Sequence, residues 1–75
     1  MITRKKINYI HELQEIQRLA VDCPDDVGLH SLDSSMIIDA KSYIGMYALD
    51  FTQPILIVSE NINFHCLIAN IGEDA

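Results

Sequence analysis

The chain has 75 residues, 49% of them apolar, with five basic residues against eleven acidic ones and a net charge of −6 at pH 7. That length allows one small domain, residues 1–75, with a modest core and marginal stability, and the apolar share argues against disorder. The acidic balance argues against nucleic acid as a partner, and the lack of a transmembrane-length apolar run or a signal-peptide core predicts a cytoplasmic protein with no membrane partner.

Ile2 to Ile7 alternates weakly and reads as a strand. Its basic triplet, Arg4, Lys5 and Lys6, reads as strand-edge solubility. Asn8 is placed to cap the helix that follows. Ile10, Leu13, Ile16, Leu19, Ala20 and Cys23 fall on one side of that helix, with Glu12, Gln14, Glu15, Gln17 and Arg18 outward. Pro24 and the two aspartates after it end it. Val27 to Ser31 and Met36 to Ala40 form a hairpin across the Asp33-Ser34-Ser35 turn, because short polar side chains bond their own backbone there.

Ser42 is a favoured N-cap for a short helix, Tyr43 to Leu49, in which Ile44, Tyr47 and Ala48 make one stripe. Phe51 to Gln53 is a loop. Pro54 to Ser59 is apolar at successive positions, the pattern of a central strand covered on both faces. Asn61 can cap a last helix carrying Phe64, Leu67, Ile68 and Ile71, although Ile62, Phe64, Cys66 and Ile68 also alternate as a strand would. Gly72 stops that element and Glu73, Asp74 and Ala75 are expected to fray. Cys23 and Cys66 lack a CxxC spacing and read as two reduced, partly buried thiols, with one disulfide as the other reading.

The order is β-α-β-β-α-β-α. Within it, Asp39-Ala40-Lys41-Ser42-Tyr43-Ile44-Gly45-Met46 is entered by a strand and followed by a long apolar one. This run resembles the histidine-containing phosphocarrier family (HPr) of the bacterial sugar phosphotransferase system. In that family a strand enters an Asn-Ala-Lys-Ser corner, then a short helix opening with apolar residues and a Gly. The resemblance covers nearly the whole chain, although the last helix is short for the family. It implies an α+β open-faced β-sandwich, a four-stranded antiparallel sheet with the helices on one face.

The family's chemistry uses a histidine just before the first helix, within Gly-Leu-His-Ala-Arg-Pro-Ala. The helix N-terminus and the arginine suit the phosphate that the imidazole carries. Gly28-Leu29-His30 copies three letters, but Ser31-Leu32-Asp33 follows and no helix starts there. His30 stands too close before Ser42 for a helix and a hairpin to fit between them, so it reads as a strand residue with a solvated ring. His11 has about the family's spacing before Ser42 and opens the first helix. Yet Leu13 takes the arginine's place, and Glu12 and Glu15 add like charge. His11 is therefore either a surface histidine or a degenerate phospho-acceptor, for which Arg18 or Lys41 would have to serve as the cation.

Ser42 matches the family's regulatory serine, a kinase target, and reads otherwise as an N-cap alone. Tyr43, Ile44 and Tyr47 match the outward residues that the family's partner enzymes grip, and a two-turn helix this apolar cannot bury every side chain. His65 beside Cys66 is too sparse for a metal site. No cofactor is expected, and no enzyme activity beyond phosphoryl carriage. The expected role is an HPr-like docking or regulatory domain, with phosphotransferase-system enzymes or a kinase as partners. Two alternatives stand beside it: a divergent phosphocarrier using His11, and a structural module whose apolar patch closes a homodimer.

Overall fold

The computed structural model describes residues 1–42, 45, 49 and 51–75. They form β1 (Ile2–Lys6), α1 (Ile10–Asp22), β2 (Gly28–Ser31), β3 (Ile37–Asp39), β4 (Ile55–Val58), α2 (Ile62–Leu67) and β5 (Glu73–Asp74). The sheet order is β3-β2-β4-β1-β5 and every neighbouring pair is antiparallel. The described residues thus make a small α+β fold of two helices and a five-stranded antiparallel sheet, one strand more than the four expected. The predicted helix Tyr43 to Leu49 falls largely outside the described residues.

β4 is the middle strand, as its sequence pattern predicts. Ile55 and Ile57 are 1% and 0% exposed, while Leu56 and Val58, on the other face, are half-buried. β1 and β2 flank it, joined by α1. Alternation sends Leu29, Ile38, Ile55 and Ile57 to one face, where they meet Leu13, Ile16 and Ala20 of α1 and Phe64 and Ile68 at α2 in a single cluster. Removing each such side chain from water contributes about 2 kcal/mol. Both helices therefore cover one face of the sheet.

Local signals set the element ends. Cys23 donates its N–H to the Ala20 carbonyl, and Pro24, which cannot continue the ladder, follows. The Asn61 side chain caps α2 by accepting the Phe64 N–H at 2.9 Å. At the hairpin tip the Asp33 carboxylate accepts the hydroxyls of Ser31 and Ser35 and the Ser35 N–H. Those bonds, the Ser31 hydroxyl foremost, hold its pKa down at about 2.

Several expectations are corrected. Tyr9, not Asn8, is the N-cap of α1. Gln17 points inward at 4% exposure, because it lies between Leu13 and Ala20 on the buried stripe. Ile10, at the overhanging first turn, is 56% exposed. Cys23 is buried, but Cys66 is exposed, and both thiols are free. The last helix ends at Leu67, short of the predicted Ile71. The three final residues do not fray. Gly72 turns at φ +70°, where a Cβ would meet the Lys6 carbonyl at 3.0 Å. The chain then returns as β5, pairing Glu73 with Lys6 and Asp74 with Lys5.

The basic triplet is not an edge device either. Lys5 is 1% exposed, and its ammonium donates to the Ala69 carbonyl at 2.8 Å and to Asp74 at 2.7 Å. Lys6 donates to the carbonyls of Phe51 and Ile7 at 2.9 and 3.1 Å. Only Arg4 keeps its charged head in solvent.

Gln17 Nε2 is buried with no hydrogen-bond partner among the described residues. A buried donor left unpaired costs about 1–3 kcal/mol. Gln17→Leu is therefore expected to raise stability by about 1 kcal/mol. A urea midpoint that stays or falls would show that the amide is satisfied.

Candidate functional site

α1 carries Ile10, His11 and Glu12 in its first turn, directly after the extended Tyr9. His11 is exposed and its ring stacks on Tyr9, with centroids 5.4 Å apart and planes 12° from parallel. The helix mouth itself is occupied. Glu12 Oε1 accepts the Asn8 N–H at 2.9 Å and the Tyr9 N–H at 3.0 Å. Those amides, Asn8 first, hold the Glu12 carboxyl below its ordinary pKa, with a smaller contribution from nearby His11. Glu12 is thus ionised at neutral pH where an incoming phosphate would need positive potential.

The cation nearest this turn is Lys6, whose ammonium is engaged by the Ile7 and Phe51 carbonyls and lies 3.5 Å from Asn8 Oδ1. The hollow beside this turn is about 130 Å³ and lined by Ile7, Asn8, Tyr9, Ile10, Leu13 and Phe51. Arg18 stands two helical turns away, about 10 Å along the axis. Its guanidinium is bidentate on Glu15, which raises the arginine pKa and lowers that of the glutamate. Of the features that suit a phosphohistidine, the histidine and the helix start stand together, while the nearby Lys6 ammonium is held by backbone carbonyls and the helix mouth by Glu12.

His30 lies in β2, half-buried, on the face opposite the helices. A Cβ on Gly28 would meet its Nε2 at 3.0 Å, so the glycine makes room for the ring. Leu29 between them is fully buried, and the Gly28-Leu29-His30 copy opens no helix.

The Asp39–Ser42 corner leaves β3 through a tight turn. The Asp39 carboxylate accepts the Lys41 N–H at 2.9 Å, and its carbonyl accepts the Ser42 N–H at 3.0 Å. This is the self-bonding that short acidic and amide side chains share. Ser42 is exposed, and its Oγ accepts the Gly45 N–H at 3.2 Å, the bond of an N-cap to the third residue after it. Tyr43, Ile44 and Tyr47, the expected docking residues, lie outside the described residues.

His65 is the histidine that sequence reasoning valued least and that the fold holds most firmly. It is 5% exposed. Its Nε2 lies 2.8 Å from the Ser59 carbonyl, so that nitrogen donates. Its Nδ1 lies 2.6 Å from Thr3 Oγ1. The ring pins β1 to the end of β4, and no local pattern in the sequence signals a partner 62 residues away. Among the described residues no three His, Cys, Asp or Glu side chains converge on a metal position.

Set against known protein families, curated proteins and solved structures, the chain matches none. Among the described residues, no helix is long and apolar enough to cross a membrane.

Proposed function

We propose that this chain is an HPr-like docking or regulatory domain tied to the bacterial sugar phosphotransferase system, one that engages protein partners in the cytoplasm without carrying a phosphoryl group. The observation that carries the reading is the ionised Glu12 carboxylate seated on the amides just before His11. It fills the anion-favouring end of α1 with the chain's own negative charge.

The likeness to HPr draws support from two features. The element order β-α-β-β, then β4 and α2, is in keeping with the family as far as α2, and β5 is an added edge strand. Asp39 also keeps the side-chain acceptor that the family's asparagine supplies at the corner before the serine. On that likeness, partner enzymes grip Tyr43, Ile44 and Tyr47, and a serine kinase acts on Ser42, whose exposed hydroxyl stands beside Asp39 and its like charge.

Incubation with phosphoenolpyruvate and the general phosphotransferase enzyme, read by intact mass at alkaline pH, is expected to give no adduct. An adduct that disappears in His11→Ala would make the chain a divergent phosphocarrier instead. Retention on the immobilised general enzyme supports docking, and failure to bind it removes the tie to this system. In a kinase reaction an acid-stable adduct absent from Ser42→Ala marks the regulatory serine, and an adduct that survives Ser42→Ala refutes it.

A further inference from the structure

The face of the sheet away from the helices carries two cross-strand rows. Ile2, Val58, Gly28 and Asp39 make one; Arg4, Leu56, His30 and Ile37 make the other. Nothing among the described residues packs over it. Gly45 and Leu49, the described residues between Ser42 and Phe51, lie on the helical side: a Cβ on Gly45 would meet Ile38, and Leu49 belongs to the core.

This open face is unusually apolar. Ile2 and Ile37 are 61% and 66% exposed. Between them Leu56 and Val58 remain half-buried although β4 is the central strand. A strand apolar at every position is the pattern of a strand covered on both faces. Here no described residue supplies the second cover.

The charges say what fits. Lys6 spends its ammonium on the carbonyls of Phe51 and Ile7; Met1 with its terminal ammonium, and Asp25, Asp26 and Glu60, rim the end of the Ile2 row, and Arg4 is the cation of the other row. Among the described residues its guanidinium has no hydrogen-bond or ion-pair partner. Asp39 is exposed at the opposite corner, on the outer strand and in the other row. Three strand spacings, about 14 Å, separate their columns. A two-fold axis lying in the interface, perpendicular to the line from Arg4 to Asp39, exchanges the two positions. It sets each arginine over the partner's aspartate and crosses the two copies' apolar rows over one another near Leu56 and Val58. Such a surface is complementary to itself, which is what an isologous dimer requires.

We infer that the open sheet face is a dimerisation surface, and that its occupant is a second copy of this chain packed sheet against sheet. Four strands about 4.8 Å apart and two rows about 7 Å apart span on the order of 300 Å², below the roughly 800 Å² per partner of standard interfaces, which places the dimer among weak associations.

The test is dilution of the ¹⁵N-labelled chain from about 1 mM to about 20 μM, a window set by that weak affinity, with sedimentation equilibrium in parallel. The mass should rise from 8.5 kDa towards twice that value. Amide shifts should move at Ile2, Arg4, His30, Ile37 and Leu56. Ile37→Glu should abolish association, and Val21→Glu, on the exposed side of α1, should leave it unchanged. Arg4→Asp should weaken the dimer about tenfold, and adding Asp39→Arg should restore it to within about threefold.

A chain monomeric at 1 mM overturns the inference and leaves the face to a different occupant. So does association that shifts α1 and α2 amides instead, or that survives Ile37→Glu. Asp39 also holds the Lys41 N–H. If Asp39→Arg lowers the melting temperature, the wild-type shift map and Ile37→Glu decide alone.

Discussion

Ile57→Ala is expected to destabilise the protein by about 3–4 kcal/mol. Ile57 is 0% exposed and sits in the middle strand, opposite Thr3 on one side and Leu29 on the other. Removing most of its side chain loses transfer free energy and leaves a cavity under both helices. The sheet cannot close it without breaking two ladders. A chain of this length has on the order of 4–11 kcal/mol in total, so the substitution consumes a large part of the stability. Ile37→Ala supplies the contrast. Ile37 has the same chemistry but is 66% exposed on an outer strand, and its replacement should change stability by less than about 0.5 kcal/mol. Urea denaturation of the three proteins checks both values. It is done at about 10 μM, where a weak self-association contributes little. Equal losses at the two positions would contradict the one-sided core.

Lys5→Glu is expected to unfold the chain at room temperature, at a cost above about 4 kcal/mol. The ammonium of Lys5 lies inside, against the Ala69 carbonyl and the Asp74 carboxylate. A glutamate there would bury a carboxylate among acceptors and beside a second carboxylate, with nothing to donate to it. Lys5→Met keeps the stem and loses the two polar contacts, so its cost should stay near 1–2 kcal/mol. Asp74 is 87% exposed, and Asp74→Asn should cost under about 1 kcal/mol, as for a largely solvated pair. Circular dichroism melts of the three variants give the ranking. A folded Lys5→Glu would place this side chain in solvent and remove its tie to β5.

The elements were legible wherever a residue's role depends on its near neighbours. The unbroken apolar run from Ile55 to Val58 announced the central strand, and the Asn61 cap, the Asp33 hairpin tip and the Pro24 stop were each decided by bonds spanning a few residues. Glu12 was also readable as hostile to a phosphate on His11, because charge sign needs no tertiary structure. Its hold on the Asn8 and Tyr9 amides did need coordinates.

Only the tertiary structure decided the rest. Lys5 read as a soluble edge residue, and it became a buried tether because its partners lie 64 and 69 positions away. His65 looked like half of a weak metal pair, and it became a strap between Thr3 and Ser59. Gln17 and Ile10 exchanged their expected sides because the helix is rotated by what it packs against, which its own periodicity leaves free within a few tens of degrees. The two-sided apolar pattern of β4 was plain in the sequence. That one side of it faces no other element among the described residues, with Arg4 and Asp39 at opposite corners, follows from strand order, which local pattern does not encode.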